Sequence, residues 1–382
     1  MEEEFFLAWL VSNIGMTAKR QEILLNQFGT AEEIFRSPKE LLLCVDNISK
    51  NIMENLLNNR SEKKFLLLKK FMIKNKIRYI HKNSEEFPML LKNISDPPLG
   101  FFIIGKLPND HDTKVAIIGS RKYSEYGAKI TRNLSYDLSK NKLIIVSGMA
   151  RGIDSIAHES AVEANSDTIA VLGCGVDICY PPENFKLRDK IINNGCIISE
   201  FALGTKPLVG NFPIRNRIIS GLSKGVIVTE ASNKSGTMIT VAHALEQGRE
   251  VMAVPGEVTS GFSIGTNYLI KQGAVLVRNF QDVFDILKID KSNDFKDNDN
   301  NKYNNSDKNN FFIDKKENFK KKLNLSDDEK NIYDLLGVEA RDFDYISIRT
   351  TLPTSVLIST LIILEIKNLI KKLPGQKYVK NQ

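Results

Sequence analysis

Two arginines, Arg215 and Arg217, stand two residues apart in NFPIRNRIISGLS, directly ahead of an apolar run with the pattern of a core helix. A third, Arg121, follows the run KVAIIGS with Ser120 beside it, and Lys234, Ser235 and Thr237 follow GVIVTEA. Lys206 lies shortly before Phe212. Guanidinium, ammonium and hydroxyl groups near backbone N–H groups at helix starts are suited to phosphate oxygens. Phe212 adds a ring on which a base could stack, and cations beside an aromatic suit a single nucleic-acid strand better than a mononucleotide. If a helix begins near Pro213, Arg215 and Arg217 fall in its first two turns, where the helix dipole disfavours cations; an anion at the helix start would remove that conflict. The plainer reading of Phe212 is a staple packed against its own helix.

Groups for bond-breaking chemistry are scarce. His158 in GIDSIAHESAV and His243 in TVAHALEQG sit among small apolar residues at helical spacing and are read as packing histidines. Asp154, Glu200 and Glu230 are carboxylates near strand ends, without a deducible acid–base pairing. The four cysteines, Cys44, Cys174, Cys179 and Cys196, fit no zinc or redox spacing and are expected to be buried thiols. No catalytic residue, metal site or cofactor is expected.

The elements that must position these residues follow from the apolar pattern. The runs KVAIIGS, KLIIVSG, TIAVLG, CIISE, GVIVTEA, EVMAVPG and AVLVR alternate with helix-compatible segments over 114–288. Continuous apolar strands separated by helices specify a mostly parallel sheet covered on both faces, an α/β doubly wound, Rossmann-like fold. Ligands of such sheets bind beyond the carboxyl ends of the strands. Those ends are rich in small residues here: Gly119 and Ser120, Ser147 and Gly148, Gly173 and Gly175, Pro255 and Gly256. The first turn, GSRKYSEYG, lacks GxGxxG spacing, and GCGVDI continues into CYPPENF, which cannot be the helix a dinucleotide requires.

Outside this core, residues 1–75 show helical periodicity broken at Gly15 and Gly29, a small all-α domain preceding the Rossmann-like domain at 76–288. EEFPMLLKNISDPPLGFFIIGK reads as a connecting segment. Residues 289–322 collapse to Asn, Asp and Lys and read as a disordered linker. Residues 323–382 order as helices followed by a hairpin turning at Pro374 and Gly375, with Ser326 as a helix N-cap, the pattern of a winged helix. The net charge of +7 and pI near 9.0 weakly favour a polyanionic partner. The acidic start MEEEFF does not suit a secretory signal, and no run reaches membrane-spanning length, so a cytoplasmic location without membrane attachment is expected.

Taken as ordered blocks, GSR, SGMARGIDSIAH, TIAVLGCGVDICYPPEN, FPIRNRIISGLS, EASNKSGTMIT and AVPG followed by GTNYLIKQGA resemble the DNA-processing protein A (DprA/Smf) family across 115–278. The resemblance implies an extended Rossmann-like domain that binds single-stranded DNA without sequence preference. It also implies protection of that DNA in natural transformation, loading of the RecA recombinase, a homodimer and no established catalysis. It assigns DNA contact to Arg121, Phe212 and Arg215 and a phosphate-facing turn to Ser235 and Thr237. Arg217 either joins them or holds the pocket through a carboxylate. The chain departs from the family at Met149, where a second glycine is more usual.

Two other readings compete. Nucleotide hydrolases of the lysine-decarboxylase-like group share a Rossmann core with a Gly-rich turn, here NKSGT, and would engage Glu230. Alternatively the winged helix could carry the DNA, although its acidic residues Asp327, Asp328, Glu329, Asp334, Glu339, Asp342 and Asp344 disfavour this and suggest protein docking. The N-terminal helices could form a helix-hairpin-helix DNA module, but NIGMTAKRQ lacks its glycine hairpin, which favours an interaction domain.

Overall fold

Each of the seven apolar runs becomes a strand of one sheet. They are β3 (Lys114–Ile118), β4 (Ile144–Ser147), β5 (Thr168–Val171), β6 (Gly195–Ser199), β7 (Gly225–Val228), β8 (Glu250–Ala253) and β9 (Val275–Leu276). The computed structural model describes residues 2–232, 235–289, 326–336, 341–350, 352–367, 369–373 and 375–380. It divides into a unit over Met1–Asn293 and a second over Asp294–Gln382. Lys234 and most of the expected linker lie outside the described residues.

Two further strands, β1 (Ile77–His81) and β2 (Gly100–Gly105), complete a nine-stranded sheet of order β1-β2-β6-β5-β4-β3-β7-β8-β9. From β6 to β9 neighbouring strands are parallel, with Val115 opposite Gly225 and Ala116 opposite Val146. β2 runs antiparallel to both β1 and β6. The chain adds β4, β5 and β6 on one side of β3 and then crosses to place β7, β8 and β9 on the other. The carboxyl ends of β3 and β7 therefore flank a topological switch point.

Alternation along β3 assigns the two layers. Val115 and Ile117 pack with Leu134 and Leu138 of α8 (Glu125–Lys140) and with Ile153 and Ala157 of α9 (Ile153–Glu163). Ala116 and Ile118 pack with Ile218 and Ile219 of α11 (Asn211–Gly221) and Val241 of α12 (Thr237–Glu246).

The segment read as a connection is thus partly sheet. Phe101 and Ile103 of β2 face Leu91, in the short helix Met89–Lys92, while Phe102 faces the N-terminal helices. Six apolar or small residues after two prolines are too few to separate strand from linker; pairing with β6, 90 or more residues away, decides it. The N-terminal helices cover that face and share a hydrophobic cluster with Ile77, Tyr79 and Phe102. At its centre Phe6 stacks on Phe65 at 4.3 Å, and Trp9 meets Phe35 edge-on at 4.8 Å.

Cys44 is exposed, contrary to the expectation of a buried thiol, because its helix, Lys39–Leu43, turns only Leu42 fully inward. Cys174 and Cys196 are buried. Met149 adopts a left-handed backbone with φ 53° and is fully buried, so the departure from glycine here exchanges backbone strain for core packing.

In the second unit, the helices Asp327–Leu335, Phe343–Thr350 and Thr354–Ile366 precede the antiparallel pair Ile370–Leu373 and Lys377–Lys380. Ser326 caps the first helix in a reciprocal box with Glu329, as expected. Gly375 has φ 81°, and Pro374 lies outside the described residues. No single helix among the described residues is long and apolar enough to cross a membrane.

His158 is a core residue, with Nδ1 2.8 Å from the Thr168 hydroxyl. That hydroxyl donates to the Ile145 carbonyl, so Nδ1 carries the proton and donates to it. Burial pushes the pKa of the imidazole down to about 3. Because the folded value lies below the unfolded one of about 6.5, the neutral ring favours folding at and above that pH. Stability should fall as pH drops below 6.5, by up to about 1.4 kcal/mol per pH unit from this group. His158→Gln should flatten the slope of denaturant-measured stability between pH 6.5 and 5; an unchanged slope would refute the assignment.

Candidate functional site

Helix α11 begins at Asn211, two residues before Pro213, and its first turn is stitched to the loop after β5 by Asn211 Nδ2 donating to the Gly173 carbonyl at 3.1 Å. The half-buried Phe212 ring lies on that loop. A Cβ on Gly173 would stand 2.9 Å from the ring, so glycine is what lets the aromatic face seat there. Tyr180 meets the same ring at 5.7 Å. The guanidinium carbons of Arg121 and Arg215 lie 5.7 and 5.8 Å from its centroid, within cation–π range.

Arg215 is only 4% exposed. Its Nη1 donates to the Gly148 carbonyl at 2.8 Å and also to the Val171 carbonyl, while Nε donates to Asn216 Oδ1 at 3.1 Å. Its plane passes so close to Gly148 that a Cβ there would be 2.7 Å from Nη1. The conflict with the helix dipole is therefore resolved by carbonyl oxygens at the ends of β4 and β5, where an external anion was expected. Burial lowers the pKa of Arg215 to about 10, opposed by the charge of Asp154. Asp154 is itself buried and accepts from Gly148 N at 3.2 Å; burial raises its pKa and Arg215 counters the shift.

Arg217 points elsewhere. Its Nε donates to Asp96 at 3.0 Å and its Nη2 to Glu200 at 2.7 Å, and it is 8% exposed. Burial pulls its pKa down, but the charge of Glu200 and the hydrogen bonds to Glu200 and Asp96 outweigh this and leave it raised. Of the two roles the sequence left open, the geometry is that of the carboxylate-held one.

Ser120, Lys206, Ser235 and Thr237 do not line the cavity. Ser120 is fixed through its backbone, its N–H donating to the Glu230 carbonyl at 2.9 Å. The Ser235 and Thr237 hydroxyls lie 2.8 Å apart, and Thr237 N donates to Ser235 Oγ at 3.2 Å at the start of α12. Lys206 is exposed in the segment before α11. Glu230 is 1% exposed, and its carboxylate accepts from both the backbone N–H and the hydroxyl of Ser124 at the start of α8.

The cavity is lined by Arg121, Gly148, Ala150, Arg151, Leu172, Gly173, Cys174, Tyr180, Pro181, Phe212 and Arg215. Tyr180, Pro181 and Arg151 were missed as site residues, although the motifs CYPPEN and SGMARGID were visible; only the tertiary fold brings them to the cavity that Phe212 and Arg121 line. Burial pushes the Cys174 thiol up to about 11, so this sulfur is protonated at neutral pH and is not an activated nucleophile. Among the described residues no cluster of three or more His, Cys, Asp or Glu could hold a metal ion. An aromatic floor with guanidinium groups beside it suits a flat base and its neighbouring phosphate.

Comparison with known proteins gives a consistent picture. The family model described as DNA recombination-mediator protein A matches residues 78–288, and the model for the DprA winged helix domain matches 320–376. DNA processing protein DprA of Streptococcus pneumoniae is 46% identical over 197 residues, which cover 52% of this chain and 70% of that protein. Protein Smf of Escherichia coli is 43% identical over 207 residues, covering 54% of this chain but only 55% of that protein. The X-ray structure of DNA processing protein A from Streptococcus pneumoniae superposes with a TM-score of 0.62 at 34% identity, covering 74% of this chain and 97% of that one.

Removing Arg217 leaves Glu200 without its partner in a largely buried setting, whereas Asp96, with a side chain 77% exposed, is re-solvated at little cost. Arg217→Ala should therefore cost about 2 kcal/mol of stability and lower the unfolding temperature by several degrees, without contact to ligand being lost. An unchanged unfolding temperature in a scanning-calorimetry comparison would remove the structural role.

Proposed function

The chain belongs to the DNA recombination-mediator protein A family, and on that premise we propose that its Rossmann-like domain binds single-stranded DNA at the carboxyl ends of β4, β5 and β3. The observation that carries this reading is the Phe212 ring seated on Gly173 with the exposed guanidinium of Arg121 over it. One base stacks on the ring, and Arg121 meets the adjacent phosphate. Arg215 contributes by holding the seat; Ser120, Lys206, Ser235, Thr237 and Lys234 extend the phosphate track along the neighbouring strand ends. Because stacking uses a face that every base possesses and the cations meet phosphates, the binding is independent of sequence.

On this reading the protein is a mediator without catalytic activity. It acts in the cytoplasm as a homodimer, protects incoming strands in natural transformation and delivers them to the RecA recombinase. The helices of 1–75 and the winged helix of 323–382 serve as interaction domains joined to the DNA-binding core. A nucleotide hydrolase would need a carboxylate at the substrate, yet Glu230 is buried and taken up by Ser124. Recombinase loading is checked by the lag in filament assembly on covered single strands, and an unchanged lag removes that role. A monomeric mass in sedimentation removes the dimer.

Titration of a fluorescent oligothymidine at several salt concentrations tests the site. Wild type should bind more tightly to the single strand than to duplex, with steep salt dependence. Phe212→Ala should lose about 1–3 kcal/mol of binding free energy, and Arg121→Ala should reduce the log–log salt slope by about 0.7. Undiminished binding in both folded variants would move the strand to another surface.

A further inference from the structure

At the mouth of the cavity Arg151 presents a guanidinium with 56% of its side chain exposed, and its fork is occupied. Nε donates to Glu183 Oε1 and Nη2 to Glu183 Oε2 at 3.1 Å, a two-pronged contact with a side chain that is itself 50% exposed. The same two-pronged geometry is what an arginine offers to two oxygens of a phosphate.

Both partners are placed by side-chain hydrogen bonds of neighbouring residues that do not depend on their ion pair. Asn184, next to Glu183, donates from Nδ2 to the Met149 carbonyl at 2.9 Å and to Ser155 Oγ at 2.8 Å. Ser155 in turn donates to the Ala150 carbonyl at 2.6 Å. The turn carrying Glu183 is thereby stitched to the loop carrying Arg151 from both sides of the arginine. That loop also abuts the Arg121 turn: at Gly152, with φ 83°, a Cβ would stand 2.5 Å from the Ser120 carbonyl oxygen and 2.7 Å from that of Arg121. Arg151 is therefore fixed beside the exposed arginine that faces Phe212. An ion pair between two half-exposed side chains contributes little to folding, and here the neighbouring amide already holds the loops together.

We propose that Arg151 is a second phosphate ligand at the cavity mouth and that Glu183 is its built-in competitor, displaced when a strand phosphate takes the guanidinium fork. The proposal rests on the single-strand reading of this cavity and adds to it a residue and a device. Without a strand, Glu183 neutralises Arg151 and keeps the mouth from gathering stray anions. When a strand docks, the carboxylate is released to solvent, so each binding event costs one Arg–carboxylate contact. A phosphate held by Arg121 next to a stacked base is the anchor that makes the exchange favourable, which favours polynucleotide strands over isolated phosphate.

The test is a double-mutant cycle read by oligothymidine affinity in the full-length chain, with thermal unfolding as the folding control. Glu183→Gln should tighten binding about three- to tenfold, because the fork no longer has to be vacated by a charged partner. Arg151→Gln should weaken binding and lower the log–log salt slope by about 0.7. In the double variant the gain from Glu183→Gln should vanish, leaving the affinity of Arg151→Gln alone. The latch is overturned if Glu183→Gln leaves affinity unchanged, or if it tightens binding equally in the Arg151→Gln background, which would make Glu183 a simple repelling charge. Binding insensitive to Arg151→Gln but abolished by Arg121→Ala overturns the latch while leaving the strand site intact; wild type failing to bind any oligothymidine overturns both.

Discussion

The buried guanidinium of Arg215 ties together the ends of β4 and β5 by donating to the Gly148 and Val171 carbonyls, and the cavity is arranged around that tie. A guanidinium in a buried position is tolerated only when its donors find acceptors. Carbonyl groups at the carboxyl ends of parallel strands provide them without adding a net charge. Once Arg215 is fixed, α11 is fixed, and Phe212, almost one helical turn earlier, must lie over the loop after β5. The small residues at 148 and 173 follow from this, since a side chain at either would meet the guanidinium or the ring.

Four arginines of one neighbourhood consequently do four different things. Arg215 is absorbed by backbone oxygens, and Arg217, two residues on, is held by Asp96 and Glu200. Arg121 is exposed over the Phe212 ring, and Arg151 is engaged by a carboxylate that solvent can reach. Helical spacing explains the first division, because positions two apart on a helix point to different sides. Depth explains the second. A buried charge keeps its partners because losing them is expensive, whereas half-exposed partners can be exchanged.

Much of the architecture was legible in the chain. The runs that form β3 to β9 are continuous and apolar because both of their faces are covered, and that pattern is local. β1 and β2 were less legible, since their strand character depends on antiparallel pairing at the sheet edge rather than on a repeated α/β alternation. At the site, Arg121, Phe212 and Arg215 could be singled out and do converge. Their roles could not all be assigned: a positive charge early in a helix called for a negative partner, and the pattern alone could not distinguish an external phosphate from strand-end carbonyls.

The sequence by itself therefore determined the layered α/β class, the small residues at strand ends, the Ser326 cap and the group of arginines with an adjacent ring. These depend on residue periodicity and type within a few turns of chain. Only the tertiary structure decided which arginine is buried, which is exposed and which is paired. The deciding partners are remote: Gly148 lies 67 residues from Arg215, Asp96 lies 121 from Arg217 and Glu183 lies 32 from Arg151. A charge acquires its role from the dielectric depth and the acceptors around it, and those are fixed only when distant segments of the chain meet.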